Sequence, residues 1–345
     1  MQRQDWNAVA ALALIAVAMF LPALSTPQAF PTGYDIVRQR SYFFTVLHNS
    51  FQQTGALPLW DPYTFAGYSA IASPHEQFFF PLHLLVLLIP PDYLFFPLLL
   101  LFVFFAGVST YALARRWLLP LPAFTSALIY MLSGTLLAKI RNGVFSYFEL
   151  IALLPLLFFA VERLLERPTM RRSLQVSLVA ALLLTINNLQ LFFYGCLALG
   201  LYVLLRMSYT KWPQVGKVVQ ALCLAGILSL FLAAVVLIPL FAGTSQGTIA
   251  QETDFAFQTE GSLSPQTLAL FILPWAFGSP ERYFGPQPWG VLYNFIGIIP
   301  LFLTLCAILY ARNAVIKPLL WLGGFALLFS LGKYTPFYRL LLALP

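Results

Sequence analysis

Asp35 stands in "FPTGYDIVRQR", about ten residues beyond the first long apolar run, in a chain where only 9% of residues are charged. A carboxylate at the level where bilayer meets water can act as a base toward a hydroxyl, the more so if partial burial raises its pKa. The same residue fits an N-cap for a helix opening at Ile36, since aspartate is a favoured cap, and the two roles are compatible. Arg38 and Arg40 follow on that helix and point in different directions. Lys139 and Arg141, in "AKIRNG", form a basic pair suited to a phosphate or diphosphate head group, or to ordinary snorkelling at a helix end. Trp60 and Asp61, between prolines in "PLWDPYTFAG", offer an aromatic platform and a carboxylate for a sugar ring, although tryptophan at an interface is commonly an anchor. "SPHEQ" adds His75 and Glu76, too few ligands at the wrong spacing to assign a metal. Glu149 falls inside an apolar run, about one turn from its outer end, where an ionisable group is a functional candidate by default. His83 and the repeated phenylalanines read as packing.

The elements that must position these groups are membrane helices. Of 345 residues, 60% are hydrophobic and 16% aromatic, whereas soluble domains are roughly half apolar and about a quarter charged. The chain is therefore expected to be an all-α polytopic membrane protein, residues 1–345 forming a single transmembrane domain. A span needs about 20 apolar residues. Runs at 8–24, 94–113, 121–138, 144–161, 218–240, 291–310 and 318–332 qualify, and 174–205 reads as two short spans broken at "NNLQ", giving about nine crossings. The first is read as an uncleaved helix, because it is long for a signal sequence and no small-residue cleavage site follows. "FFFPLHLLVLLI" and "TLALFILPWAF" are too short to cross and are expected as interfacial or re-entrant pieces.

With the N-terminus inside, twelve of the nineteen lysines and arginines fall on the cytoplasmic side and seven outside, the bias expected of this orientation. Nine of the twelve acids face outward or sit in the outer half of a helix. Polar chemistry then concentrates in an extracytoplasmic loop at 25–80. Within it Ile36, Arg40, Phe43, Phe44, Leu47 and Phe51 recur at helical spacing, which predicts an amphipathic interfacial helix ending near Gly55. The cysteines Cys196, Cys223 and Cys306 lack paired spacing and read as small apolar residues.

The order of "GYD", "GALPLWDPYTFAGYSAIASP", "FFFPLHLL", "ALIYMLSG", "LPLLFFAVERLL" and "LGKYTPFYRLLLALP" resembles the YfhO family of bacterial membrane proteins, placed with the GT-C type of glycosyltransferases. The resemblance implies a GT-C-like helix bundle in the bacterial cytoplasmic membrane with an extracytoplasmic active face. It implies transfer of a sugar from a polyprenyl-phosphate carrier to an envelope glycan or polymer, with Asp35 matching the catalytic acid of the first outer loop. Many GT-C enzymes have two adjacent acids there, whereas Tyr34 and Ile36 flank a single one. No cofactor is expected beyond the lipid-linked donor, metal dependence being left open. The expected partners are membrane lipids, that donor and the acceptor, with no nucleic acid. The resemblance also implies that the chain is the N-terminal part of a longer architecture. On this reading Lys139, Arg141, Arg38, Arg40 and Arg282 would hold the donor phosphate, and Trp60, Asp61, His75, Glu76 and Glu149 the sugar or acceptor. A transporter or flippase of a lipid-linked precursor, or a noncatalytic assembly scaffold, are the rival classes.

Overall fold

In the computed structural model, residues 3–24, 40–64, 66–73, 76–208, 212–244, 255, 259–279, 282–286, 295–310 and 315–342 are described. Thirteen α-helices lie among them: α1 Arg3–Leu24, α2 Ser41–Thr54, α3 Pro91–Ala114, α4 Pro120–Met131, α5 Gly134–Asn142, α6 Phe145–Glu166, α7 Met170–Thr185, α8 Leu189–Met207, α9 Trp212–Leu232, α10 Ala234–Thr244, α11 Ile298–Tyr310, α12 Ile316–Ser330 and α13 Pro336–Leu342. A two-residue antiparallel pair, β1 Trp60–Asp61 and β2 Tyr68–Ser69, interrupts the loop after α2.

Among the described residues, five helical stretches are long and apolar enough to cross a membrane: Arg3–Pro22, Pro91–Ala114, Pro120–Asn142, Leu189–Met207 and Gln214–Leu232. The last apolar helices, α10 to α12, are shorter. α6 has 22 residues, roughly 33 Å at 1.5 Å per residue, and carries Glu149, Glu162, Arg163 and Glu166. The apolar pieces at 78–89 and 267–277 do not form spanning helices; they turn as short 3₁₀ segments, His83–Leu87 and Pro265–Phe271. The run at 218–240, expected as one span, is interrupted between α9 and α10 at Ala233, which is fully buried against Leu184 and Leu237. Pro239 within α10 removes a further backbone donor.

The chain divides into two compact units. The first comprises residues 1–132, 139–193 and 213–246. At its centre α3 packs against α1, α4 and α6, and α6 against α7. The approach is close at Gly107, where a Cβ would stand 2.9 Å from the Met131 sulfur, the small-residue contact by which membrane helices draw together. Phe95, Leu99, Phe102, Phe148 and Leu12 fill this core. "NNLQ" does break the helical run: Asn187, in the left-handed region at φ 60°, turns α7 into α8.

The second unit comprises residues 133–138, 194–212 and 247–345. The Pro265–Phe271 turn buries Leu263 and Leu270, with Phe271, Phe277 and Leu331 packed against them. Leu263 N–H donates to the Ser330 carbonyl, and Lys333 N–H to Ser262 Oγ at 3.0 Å. Along α11 and α12, Phe302, Leu305, Ile308 and Trp321 are exposed, which suits contact with lipid tails.

Candidate functional site

α2 forms where the sequence alternates apolar and polar residues at helical spacing, and Gly55 ends it, donating to the Phe51 carbonyl at φ 69°. Its inner face, Phe43, Phe44 and Leu47, is buried against protein. Phe44 stacks on Phe95 and meets the edge of His83, while Phe43 contacts Phe78. Two side chains fix the helix to the 3₁₀ turn beside it: His48 Nδ1 lies 2.6 Å from the Val86 carbonyl, and Gln52 Nε2 donates to the Leu87 carbonyl at 2.8 Å.

Arg40 precedes this helix on the same inward face and is only 7% exposed. Its guanidinium lies over the rings of Phe44 and Phe145, 5.4 and 5.3 Å from their centroids, a favourable site for a cation. Nη1 has no hydrogen-bond partner among the described residues. Burial draws its pKa down, and the nearby acids Glu149 and Glu76 oppose that pull.

Glu76 is the second unusual group. Both carboxyl oxygens are buried and unpartnered among the described residues. Burial first, and then the charge of Asp61, push its pKa from 4.5 to about 9, with Arg40 pulling the other way. At neutral pH this carboxyl is therefore a neutral acid that can donate a hydrogen bond. Its position is set from a distance: Asn187 Nδ2 donates to the Ser73 carbonyl at 2.9 Å, and Gln77 Nε2 donates to the Ile186 carbonyl. The α7–α8 turn thus grips the loop on both sides of Glu76.

Glu149, near the start of α6, is fully buried, so it does not reach the surface as its place in the sequence suggests. Its Oε1 lies 2.5 Å from His83 Nε2. His83 Nδ1 faces the Gln77 carbonyl at 3.2 Å and must carry a proton to bond there. One proton is then shared between Nε2 and Glu149, either from an imidazolium to a carboxylate or from a carboxylic acid to a neutral ring. His83 is thus a polar partner and not packing alone. A lone histidine in an apolar stretch was the available signal.

Asp61 and Trp60 part company, because neighbouring strand residues point to opposite faces. Trp60 is 57% exposed and covers Gly67, where the backbone at φ 100° would set a Cβ 2.6 Å from the indole. Asp61 is 1% exposed. The Tyr42 hydroxyl donates to its carboxylate, lying 2.9 and 2.8 Å from the two oxygens, while accepting from Thr64 Oγ1 at 2.9 Å. The Tyr63 N–H also donates to Asp61 Oδ1. Asp61 is thus committed to organising the hairpin and is not free to grip a sugar beside Trp60. Burial and the adjacent Asp61 raise the Tyr42 phenol above its ordinary pKa, against the Thr64 hydrogen bond.

Arg40, Glu76, Glu149, His83, Asp61 and Tyr42 therefore form one polar network at the α2 end of the first unit. Of the other basic candidates, Lys139 lies over the Tyr147 ring at 5.2 Å, Arg141 is exposed at the end of α5, and Arg282 is exposed in the second unit. Asp35, Arg38 and His75 lie outside the described residues.

The Glu76 environment carries a pH prediction. Its folded-state pKa lies above the unfolded one, so the folded protein holds the proton more tightly between pH 4.5 and about 9, and stability falls as pH rises through that window. Glu76→Gln is expected to remove this dependence. Unfolding measured in micelles should show wild type losing about 2 kcal/mol more than the variant between about pH 6 and 8. Parallel pH profiles would show that Glu76 is ionised in the folded state.

Five apolar helical stretches of spanning length and almost no strand among the described residues define a polytopic all-α membrane protein. The family model of the bacterial membrane protein YfhO matches residues 12–342, and the chain belongs to that family. No curated protein and no solved structure matches it.

Proposed function

We propose that the chain transfers a sugar from a polyprenyl-phosphate carrier to a cell-envelope acceptor, at the extracytoplasmic face of the bacterial cytoplasmic membrane, in the manner of GT-C glycosyltransferases. The observation that carries this reading is the buried Arg40 guanidinium with an unpartnered nitrogen, beside a neutral Glu76 carboxyl. In the sequence Asp35 precedes Arg40 by five residues, a tether of at most about 18 Å even when fully extended.

In this mechanism Asp35 accepts the proton of the acceptor hydroxyl as its oxygen attacks the anomeric carbon. The bond from that carbon to the phosphate oxygen breaks, and its electron pair leaves with the polyprenyl phosphate. Fixed positive charge is most effective where negative charge grows, so Arg40 favours the departing phosphate, with Arg38, Lys139 and Arg141 as further ligands of the donor. Trp60 stacks on a sugar ring. His75 and protonated Glu76 hydrogen-bond the sugar or acceptor. Glu149 and Asp61 act through others, one beside Arg40 and His83, the other by orienting Tyr42.

The test is transfer of radiolabel from polyprenyl-phosphate hexoses in vesicles containing the chain, comparing wild type with Asp35→Asn. Transfer lost in the variant with donor binding retained supports the reading. Equal transfer in both removes Asp35 from the mechanism. Absence of transfer in either, with labelled carrier crossing the bilayer, would establish the transporter class instead.

A further inference from the structure

At the opposite end of α3 and α6 from the polar network, the first unit gathers positive charge. Arg115 pairs with Asp5 at 2.8 Å. Glu166 pairs with Arg116 and lies 4.0 Å from Arg172. Arg163, Arg167, Arg171 and Lys217 add four more cations along the α6–α7 corner and the start of α9, and the further acid there, Glu162, is fully buried in α6. Charge at this corner is therefore well in excess of its internal neutralisation.

A cavity of about 250 Å³ opens beside this corner, between the start of α7 and α9, with Lys217 in its wall. Its polar wall is Thr169, Ser173, Lys217 and Gln220, and Met170 and Leu224 give it an apolar side. Gln214 Nε2 donates to the Glu166 carbonyl at 3.3 Å and holds the beginning of α9 near the end of α6. From the cavity an apolar stripe runs along α7, where Met170, Leu174 and Leu178 are 56%, 41% and 60% exposed at four-residue spacing. Ile227 of α9 is likewise 67% exposed. A ligand fitted to this surface carries negative charge at its head and hydrocarbon below it.

We propose that this cavity binds the phosphate head group of an acidic phospholipid, with its acyl chains lying along the exposed faces of α7 and α9. Positive charge on one side of a membrane protein commonly sets only its orientation. Here Lys217 lines a recess with hydroxyl and amide donors, Arg171 follows Met170 of its wall in the sequence, and an apolar exit leads away, the arrangement by which basic pockets between membrane helices hold lipid head groups. Lys217 and Arg171 are both exposed and free of any assigned catalytic role, so they can be altered without disturbing the core or the transfer site.

The test is native mass spectrometry of the full chain in detergent, titrated with phosphatidylglycerol and separately with phosphatidylcholine, for wild type and for the Lys217→Gln, Arg171→Gln double variant. Phosphatidylglycerol should bind more tightly than phosphatidylcholine. The double variant should lose about 25-fold in phosphatidylglycerol affinity, about fivefold for each basic residue, while phosphatidylcholine binding and the melting temperature stay unchanged. Excess inorganic phosphate should not displace the bound lipid. Equal binding of the two lipids, or an undiminished preference in the double variant, would overturn the proposal. Displacement by phosphate would also overturn it, assigning the cavity to a small soluble anion.

Discussion

Asp35→Asn is expected to lower sugar transfer by about a hundredfold or more, since positioned proton transfer contributes about 10²- to 10⁴-fold. The substitution is chosen to separate chemistry from architecture. Asparagine keeps the size of aspartate and is an equally good helix cap, so a role confined to capping predicts almost no loss. It cannot accept the hydroxyl proton, so a role in catalysis predicts a fall in turnover with little change in donor affinity. The neighbouring Arg40 gives a second handle. Arg40 is assigned to the donor phosphate and Asp35 to the acceptor proton, so Arg40→Met should weaken both donor binding and turnover, whereas Asp35→Asn should affect turnover alone. If Asp35→Asn weakened donor binding and left turnover of bound donor intact, the residue would belong to recognition, and the base would have to be sought among the remaining acids of the loop.

The second large effect falls on stability. His83 and Glu149 are both fully buried, and their 2.5 Å contact satisfies one Glu149 oxygen while Oε2 already has no partner among the described residues. His83→Leu leaves the whole carboxyl group without that partner in a site walled by Phe44, Phe80 and Phe145. Removing one member of a buried pair costs about 3–5 kcal/mol, whereas replacing both by apolar groups is often neutral. His83→Leu is therefore expected to destabilise the protein by about 3–5 kcal/mol, and His83→Leu with Glu149→Leu by much less. Unfolding in mixed micelles of the two single variants and the double variant measures the coupling. If the two single losses simply add in the double variant, the residues are independent and the network does not exist as a unit.

Several features needed no tertiary structure. The absence of polar residues over long stretches forces helices, because a backbone in lipid must bond within its own segment. "NNLQ" had to interrupt 174–205, since two asparagines and a glutamine interrupt an apolar run already too long for one crossing, and Asn187 indeed occupies the left-handed turn. Of the face read at helical spacing, Arg40, Phe43, Phe44 and Leu47 are buried and Phe51 is half-buried, while Ile36 lies outside the described residues; helical periodicity is local and so legible. That an arginine shared this apolar face was visible too, but not what it would meet.

What only the tertiary structure decided were pairings between distant positions. Glu149 lies 66 residues from His83, and the Ile186 carbonyl that receives Gln77 lies 109 residues from it; no periodicity connects such positions. Asp61 looked like a partner of Trp60 because they are adjacent, yet strand geometry sends adjacent side chains to opposite faces and delivers Asp61 to Tyr42. Glu76 stands in the sequence as an ordinary loop acid. Its proton is held because the α7–α8 turn draws the loop inward, and burial of a carboxyl depends on everything packed around it. Residue type determined which groups could do chemistry, while their solvation and charge partners were set by helix packing that brings remote segments together.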